Sequence, residues 1–305
     1  MHTVLILLQQ MLIMFLLMGV GYLMFHFKKI SNEGSKSLGN ILIFLSLPCV
    51  IIKSFIVEHN TETTIGLALS ALAAAVILTC SILISRLFFK KDAIAGFASS
   101  FSNPGFFGIP IIVACVSDGA VFYIASFIAF LNILQWTYGV SILQDKSVSL
   151  TFKKVITAPF MIAIIIGLFF YFTGFEMPHI LLQCVTFLSQ LNTPLAMFTI
   201  GIYLAQTNIT KMFYKKDLYI ISGVRLVLIP LVSLLLLSIL PNTYADLKMA
   251  VLIASACPVG SNVAVYAHLH QKDYPYAVET IVISTILSLL TIPLITALAH
   301  LLWNL

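Results

Sequence analysis

The chain has 305 residues, of which 60% are hydrophobic and only 9% are charged, and its formal net charge is +5. Soluble domains carry roughly 25% charged residues, so this composition, with a mean hydropathy of +1.07, excludes a soluble protein and predicts residence in a lipid bilayer. The cationic residues lie in short loops, which argues against nucleic-acid binding. The five cysteines fall inside apolar stretches without paired spacing, so no disulfide framework, metal site or cofactor is expected.

The hydropathy pattern predicts an all-α membrane protein with ten spans, because a spanning helix needs about 20 mostly apolar residues. The first five predicted spans cover residues 3–25, 37–56, 64–88, 93–116 and 120–143. The second five cover residues 157–174, 180–206, 217–240, 246–270 and 275–303. The chain therefore divides into a first five-helix repeat over 1–143, a cytoplasmic connecting loop over 144–156 and a second five-helix repeat over 157–305.

Lysine and arginine in the loops predict the orientation, since cytoplasmic loops are enriched in these residues. Of the 16 cationic residues, all but Lys53, Arg225 and Lys248 fall in alternate loops. Those loops hold Lys28, Lys29, Lys36, Arg86, Lys90, Lys91, Lys146, Lys153, Lys154, Lys211, Lys215, Lys216 and Lys272. The pattern predicts a multi-pass protein of the cell membrane with both termini outside the cytoplasm.

Two spans are interrupted by proline and glycine at equivalent places in the two halves. The fourth span contains the run Asn103-Pro104-Gly105-Phe106-Phe107-Gly108-Ile109-Pro110, and the ninth contains Cys257-Pro258-Val259-Gly260-Ser261-Asn262. Pro48 in the second span likewise has a counterpart in Pro194 of the seventh. Because a five-span repeat crosses the membrane an odd number of times, its copy must be inverted. We therefore expect the two broken helices to cross near the middle of the membrane and to contact each other there.

The interruptions predict a binding site, because backbone polar groups freed by proline and glycine cannot be left facing hydrocarbon. Half-helix N-termini suit an anion and C-terminal carbonyls suit a cation. Neither interruption contains a carboxylate, which favours an anionic substrate. The candidate substrate-binding residues are Asn103, Pro104, Gly105, Gly108, Pro110, Pro258, Gly260, Ser261 and Asn262.

The motif Asn-x-x-x-x-Gly-Ile-Pro in the fourth span, with Pro-x-Gly in the ninth, resembles the auxin efflux carrier superfamily. That group includes plant PIN-formed auxin carriers and bacterial malate or malonate permeases. Asn103 and Pro110 match its fourth-span motif, and Pro258 and Gly260 match its ninth-span motif. The short loop between spans 5 and 6, and Val263 near the position of a second proline in plant carriers, favour a bacterial permease.

The resemblance also implies two groups of helices with different roles. Spans 1, 2, 6 and 7 would form a scaffold domain, and spans 3–5 and 8–10 a transport domain that moves in the manner of an elevator. The implied substrates are small organic anions, namely mono- or dicarboxylates such as malate and malonate, or auxin-like acids. A proton or a sodium ion is a candidate coupling ion, uniport is an alternative, and a homodimer is a candidate assembly.

Three charged residues within or near the spans are candidate charge partners. Arg225 lies inside span 8, where it has two alternative roles: holding a substrate carboxylate, or pairing with Glu279 of span 10. We expect the structural pair, since both residues enter from the same side. Lys53 lies near the outer end of span 2, where its amino group can reach the membrane interface.

The carrier prediction competes with other functional classes. An enzyme is disfavoured, because the sequence has no H-E-x-x-H motif, no paired intramembrane aspartates and no G-x-S-x-G motif with a plausible base. A channel is disfavoured because inverted repeats suit alternating access. The alternative that stays open is a sodium/proton-coupled cation antiporter, or a carrier like the bile-acid/sodium symporters, built on the same crossover.

Overall fold

The computed structural model describes residues 2–144, 157–207 and 209–304, and this part of the chain is helical almost throughout. The helices of the first half are α1 (His2–His26), α2 (Asn32–Ser54), α3 (Thr61–Phe88), α4 (Ala93–Ser100), α5 (Pro104–Cys115) and α6 (Val121–Gln144). Those of the second half with eight or more residues are α7 (Pro159–Thr173), α8 (His179–Ala205), α9 (Lys216–Leu237), α10 (Ala245–Ala256), α11 (Asn262–Leu269) and α12 (Tyr274–Trp303). The connecting loop predicted over 144–156, with Lys146, Lys153 and Lys154, lies outside the described residues apart from Gln144.

Seven of the described helices are long and apolar enough to cross a membrane, namely α1, α2, α3, α6, α8, α9 and α12. The expectation of an all-helical, multi-span membrane protein is therefore confirmed. The remaining predicted spans correspond to shorter pieces. The sixth is the 15-residue α7, the fourth is divided into α4 and α5, and the ninth is divided into α10 and α11.

Three prolines of the described spans follow widened, π-helical turns. Such turns precede Pro48 in α2, Pro110 in α5 and Pro230 in α9. Proline has no N–H, and its ring clashes with the preceding turn of a regular α-helix; a local widening relieves this clash. A fourth π-helical turn, Gln135–Gly139 in α6, contains no proline. Turns of this kind are frequent at functional sites.

Many of the close helix contacts fall within two groups of helices, and α1 joins the groups by packing on α5 and α12 as well. In the first group, α1 packs on α8, and α2 packs on α7 and α8. A Cβ atom at Gly21 of α1 would lie 2.5 Å from the backbone of Phe198 in α8, so glycine permits this approach, as small residues do between membrane helices. In the second group, α3 packs on α4 and α6, α9 packs on α10 and α12, and α10 packs on α6.

The second half contains a buried lysine near one end of its helices. Lys248 of α10 is only 1% exposed. Its ammonium group donates to the carbonyl oxygen of Leu240 at 3.1 Å and to Oδ1 of Asn242 at 2.8 Å, and lies 4.4 Å from the ring centroid of Trp303. The Asn242 side chain also donates to the Trp303 carbonyl. The end of α12 therefore covers the lysine and holds the α9–α10 connection.

Candidate functional site

The two helix interruptions meet in space. The backbone N–H of Gly260 donates to the carbonyl oxygen of Phe101 at 2.9 Å, and Ser102 forms an isolated antiparallel bridge with Val259. A Cβ atom at Gly108 would lie 3.0 Å from Sγ of Cys257. The expected contact between the two interruptions is thus present, and it is made by backbone as well as by side chains.

The first interruption is shorter than the sequence predicts. Helix α4 ends at Ser100 and α5 begins at Pro104, so Pro104, Gly105, Gly108 and Pro110 are helical and are not part of an unwound segment. The reason is that proline suits the first position of a helix, where its missing N–H would have no partner anyway. The second interruption is longer and covers residues 257–261, since α10 ends at Ala256 and α11 begins at Asn262.

A pocket of about 80 Å³ lies where the two interruptions meet. Of the predicted site residues, those that line this pocket, called here the crossing pocket, are Asn103, Pro104, Gly105, Gly260, Ser261 and Asn262. Gly108, Pro110 and Pro258 do not line it. Its further polar lining comes from Ser102, Asn132 and Gln135. No carboxylate of the described residues lines the pocket, nor does any group of three His, Cys, Asp or Glu side chains there suit a metal ion.

The N-terminal ends of two half-helices open into the crossing pocket. Helix α5 begins there at Pro104, and α11 begins there at Asn262. The first N–H groups of a helix have no intrahelical acceptor, and each N-terminus carries about half a positive charge. In α5, the first amides to find an acceptor within the turn are those of Phe107 and Gly108, which donate to the Asn103 carbonyl. Two positive helix ends therefore face the same small space.

Buried amide side chains add hydrogen-bond donors to the crossing pocket. Asn103 is 6% exposed and Gln135 is 1% exposed, and neither Asn103 Nδ2 nor Gln135 Nε2 has a partner among the described residues. The Oε1 atom of Gln135 accepts a hydrogen bond of 2.7 Å from Nδ2 of Asn262. The Asn262 amide nitrogen is therefore already engaged, and the free donors belong to Asn103 and Gln135.

Gln135 is a candidate site residue that the sequence analysis missed. It lies in the π-helical turn of α6, far along the chain from both interruptions and without a proline or glycine before it to mark the position. The available signal was a polar amide inside an otherwise apolar span. That signal is weaker than a helix break, because buried amides also serve ordinary helix packing.

Arg225 holds the C-terminal ends of the other two half-helices. The side chain is 1% exposed. Nη1 donates to the carbonyl oxygens of Ser99 and Ser100 at the end of α4, both at 3.2 Å, and Nη2 donates to the carbonyl of Ser255 near the end of α10. Carbonyls at a helix C-terminus lack intrahelical partners and carry partial negative charge. The guanidinium satisfies and neutralises both ends at once.

The expected pair between Arg225 and Glu279 is wrong. Glu279 lies 2.5 Å from the ammonium group of Lys215, immediately before α9, while Arg225 reaches the helix-end carbonyls from deeper in the same helix. Three backbone carbonyls from two distant segments lie within hydrogen-bond distance of the guanidinium, and the Glu279 carboxylate is paired with Lys215. Lys53 is also paired, at 3.4 Å with Asp118, and both side chains are well exposed.

A larger cavity of about 690 Å³ lies beside α5. Its lining comes from α1, α2, α5 and α8 and includes Lys53, Pro110, Asp118 and Asn192. Asn192 is 2% exposed, and its Nδ2 donates to the carbonyl oxygen of Gly105 at 3.0 Å. Since Gly105 lines the crossing pocket, this hydrogen bond spans the boundary between the two spaces.

Comparison with known proteins gives consistent matches over nearly the whole chain. The family described as "Membrane transport protein" matches residues 6–154 and 146–296. A Rhizobium meliloti protein named "Putative malonate transporter" is 25% identical over 290 residues, which cover 90% of this chain and 89% of the relative. An uncharacterized transporter of Methanocaldococcus jannaschii is 26% identical over 302 residues, which cover 93% of this chain and 96% of the relative.

Proposed function

Because the chain belongs to the membrane transport protein family, we propose that it carries small organic anions across the cell membrane and binds them in the crossing pocket. The chain is a membrane transporter and not an enzyme, as the family and the named relatives are transporters. The prediction of a transporter related to the auxin efflux carriers is thereby confirmed. The substrate and the mechanism are the subject of the proposal.

The arrangement of charge around the crossing carries this proposal. Four half-helix ends come together there. The two C-terminal ends and the two N-terminal ends differ in their hydrogen-bond partners. Both C-termini are satisfied by Arg225, whereas both N-termini open into the pocket beside the free amide donors of Asn103 and Gln135. The unpaired side-chain donors of Asn103 and Gln135, together with the two positive helix ends, suit a carboxylate.

The size of the pocket favours a small acid. Ligand pockets usually measure about 300–1,000 Å³, so a pocket of about 80 Å³ suits a compact mono- or dicarboxylate better than an acid with an aromatic ring system. The name of the Rhizobium meliloti relative points the same way. We therefore place malonate and malate before auxin-like acids as substrates.

The packing of the helices supports an elevator mechanism. We propose ten membrane crossings in two inverted repeats, with both termini outside the cytoplasm. The packed group of α1, α2, α7 and α8 would be the static scaffold. The group of α3–α6 and α9–α12, which contains the crossing and Arg225, would be the moving transport domain.

A cation antiporter is less well supported. Such a carrier needs a titratable carboxylate at the crossing, and none of the described acidic residues lines the crossing pocket. Glu279 is engaged by Lys215. The carbonyls that would suit a cation already accept from Arg225.

Substrate-induced stabilisation tests the proposal directly. The thermal unfolding of purified protein is measured with malonate, malate, acetate and an indole acid, each with and without sodium. A ligand at 100 times its Kd stabilises a protein by about 2.7 kcal/mol, so we expect a clear rise with a small carboxylate. Counterflow of labelled malonate into proteoliposomes then measures transport. Absence of both effects, with sodium efflux that follows an imposed pH gradient, would contradict the anion carrier.

A further inference from the structure

The larger cavity and the crossing pocket lie against the same helix. Pro110 and Val113 of α5 line the cavity, while Pro104 and Gly105 of the same helix line the crossing pocket. The cavity also contains polar side chains from facing helices, among them Gln10, Gln183, Thr186 and Gln190. Polar groups at such positions in a membrane protein are tolerated where they meet water. The cavity is therefore suited to hold water and polar solutes.

The outer part of the cavity is open to solvent. Asp118, which follows α5, has a side chain that is 67% exposed, and Lys53 is 37% exposed. Both line the cavity. Asn192, which also lines the cavity, is only 2% exposed.

Asn192 separates the cavity from the crossing pocket. Its Nδ2 donates to the Gly105 carbonyl, and its buried Oδ1 has no partner among the described residues. An unpaired buried acceptor is unusual in a folded protein. The side chain is thus held by one hydrogen bond that can exchange for contacts with a solute.

The backbone around Asn192 is a joint in α8. The helix is regular to Gln190, turns at Leu191, and starts again at Asn192. Pro194 follows and has no N–H to continue the first segment's hydrogen bonding. A joint at this place allows the two parts of α8 to shift relative to each other.

We propose that the larger cavity is the access route to the crossing pocket and that Asn192 is the gate between them. The Asn192–Gly105 hydrogen bond holds the gate closed, and it joins α8 to α5. The inference rests on the proposed function, because the solute admitted is the organic anion bound at the crossing. Its test does not depend on that function, since the readout is the accessibility of the pocket.

Accessibility is measured with a cysteine placed in the crossing pocket. All five native cysteines are replaced, Ser261→Cys supplies the reporter, and intact cells are treated with an anionic, membrane-impermeant methanethiosulfonate. Asn192→Ala and Asn192→Ser each remove the bond to Gly105. We expect either change to raise the labelling rate about fivefold, since one hydrogen bond shifts an equilibrium by about that factor.

The matched control is Thr186→Ala. Thr186 lines the same cavity, but its hydroxyl donates to Leu182 within its own helix, so the labelling rate should stay at the starting value. Unchanged labelling in folded Asn192→Ser, an equal increase in Thr186→Ala, or labelling only from the opposite face of the membrane would each overturn the gate. Malonate-induced stabilisation of the protein with native cysteines, measured in parallel, reports on the proposed function separately.

Discussion

The backbone N–H of Gly260 donates to the carbonyl oxygen of Phe101 at 2.9 Å, and this bond joins the two interrupted helices directly. A side chain at residue 260 would interfere with it, because a Cβ atom there would lie 2.8 Å from the Ser102 carbonyl oxygen. The backbone of Phe101 and Ser102, which the Cβ atom would meet, cannot move aside as a flexible side chain would. The crossing therefore requires glycine at this position for steric reasons.

Gly260→Ala is expected to lower the free energy of unfolding by about 1–3 kcal/mol, the usual effect of overpacking, and to reduce malonate transport. Thermal unfolding of the purified protein measures the first effect. The matched control is Gly19→Ala in α1, where an added Cβ has no neighbour within 4 Å. Alanine favours helix there, so the control should unfold no earlier than the starting protein. Equal unfolding of the two variants would contradict the steric argument.

Arg225→Ala is expected to destabilise the protein strongly. The change removes the guanidinium from the carbonyls of Ser99 and Ser255, and each buried group left unpaired costs about 1–3 kcal/mol. The Ser100 carbonyl loses Arg225 but keeps the Ser81 hydroxyl as a donor. Arg225→Lys should be intermediate, because an ammonium group lacks the planar fork that reaches two helix ends. Unfolding temperature and yield from membranes are the measurements.

Arg86→Ala is the control for the loss of an arginine, since Arg86 is exposed at the end of α3. It should leave stability nearly unchanged. Adding Glu279→Ala to Arg225→Ala should not restore stability, because Glu279 pairs with Lys215. Restoration would show that Arg225 and Glu279 interact after all.

The position of Arg225 within the membrane could be predicted from the sequence, but its partners could not. The sequence shows which residues are ionisable, and Arg225 was paired with Glu279 because their charges are opposite. The sequence does not show which backbone carbonyls will lack a partner at a helix end. The segments that supply them, around Ser100 and Ser255, become neighbours only where the two interrupted helices cross. The interruptions themselves were predictable because proline and glycine act locally.

Asn103→Ala is expected to weaken substrate binding about 5- to 150-fold, the equivalent of the 1–3 kcal/mol lost when a hydrogen-bonding partner is removed. Stability should be preserved, because Asn103 Nδ2 has no partner among the described residues. Gln135→Ala should weaken binding similarly, and it also frees Asn262. Calorimetric titration with malonate, alongside thermal unfolding, checks both statements.

Asn132→Ala is the matched control for these amide variants. Asn132 lines the crossing pocket, but its Nδ2 donates to the Ile128 carbonyl of its own helix at 2.8 Å. Its removal should therefore change affinity much less than that of Asn103. Wild-type affinity in both Asn103→Ala and Gln135→Ala would refute the assignment of these donors.

The ion pair of Lys215 with Glu279 should contribute modestly to stability. The Lys215 side chain is 44% exposed and that of Glu279 is 8% exposed, so solvent screens the pair from one side. A double-mutant cycle with Lys215→Met and Glu279→Gln should give a coupling of about 0.2–1 kcal/mol that falls as salt is added. The same cycle for Arg225 and Glu279 should give a coupling near zero; a larger value there would reverse the pairing described above.

The candidate site was predicted from the two helix interruptions, and the structure adds residues that lie outside those interruptions. Gln135 is brought to the pocket by a π-helical turn without a proline, so nothing in its neighbourhood distinguishes it. Asn192 is not a candidate in the sequence, because its bond to Gly105 depends on the packing of α8 against α5. Both residues depend on long-range packing rather than on local propensity.

The enclosure of Lys248 by Asn242 and Trp303 constrains how the protein is made. Ribosomes synthesise α10 well before Trp303, the last residue of α12. The nascent chain therefore contains Lys248 before the Trp303 ring that contacts it has been made. Until α12 arrives, the ammonium group can donate to Leu240 and Asn242, but the side that Trp303 covers stays open to water or to the insertion machinery. The second half can therefore complete its assembly only after the final helix has been released into the bilayer.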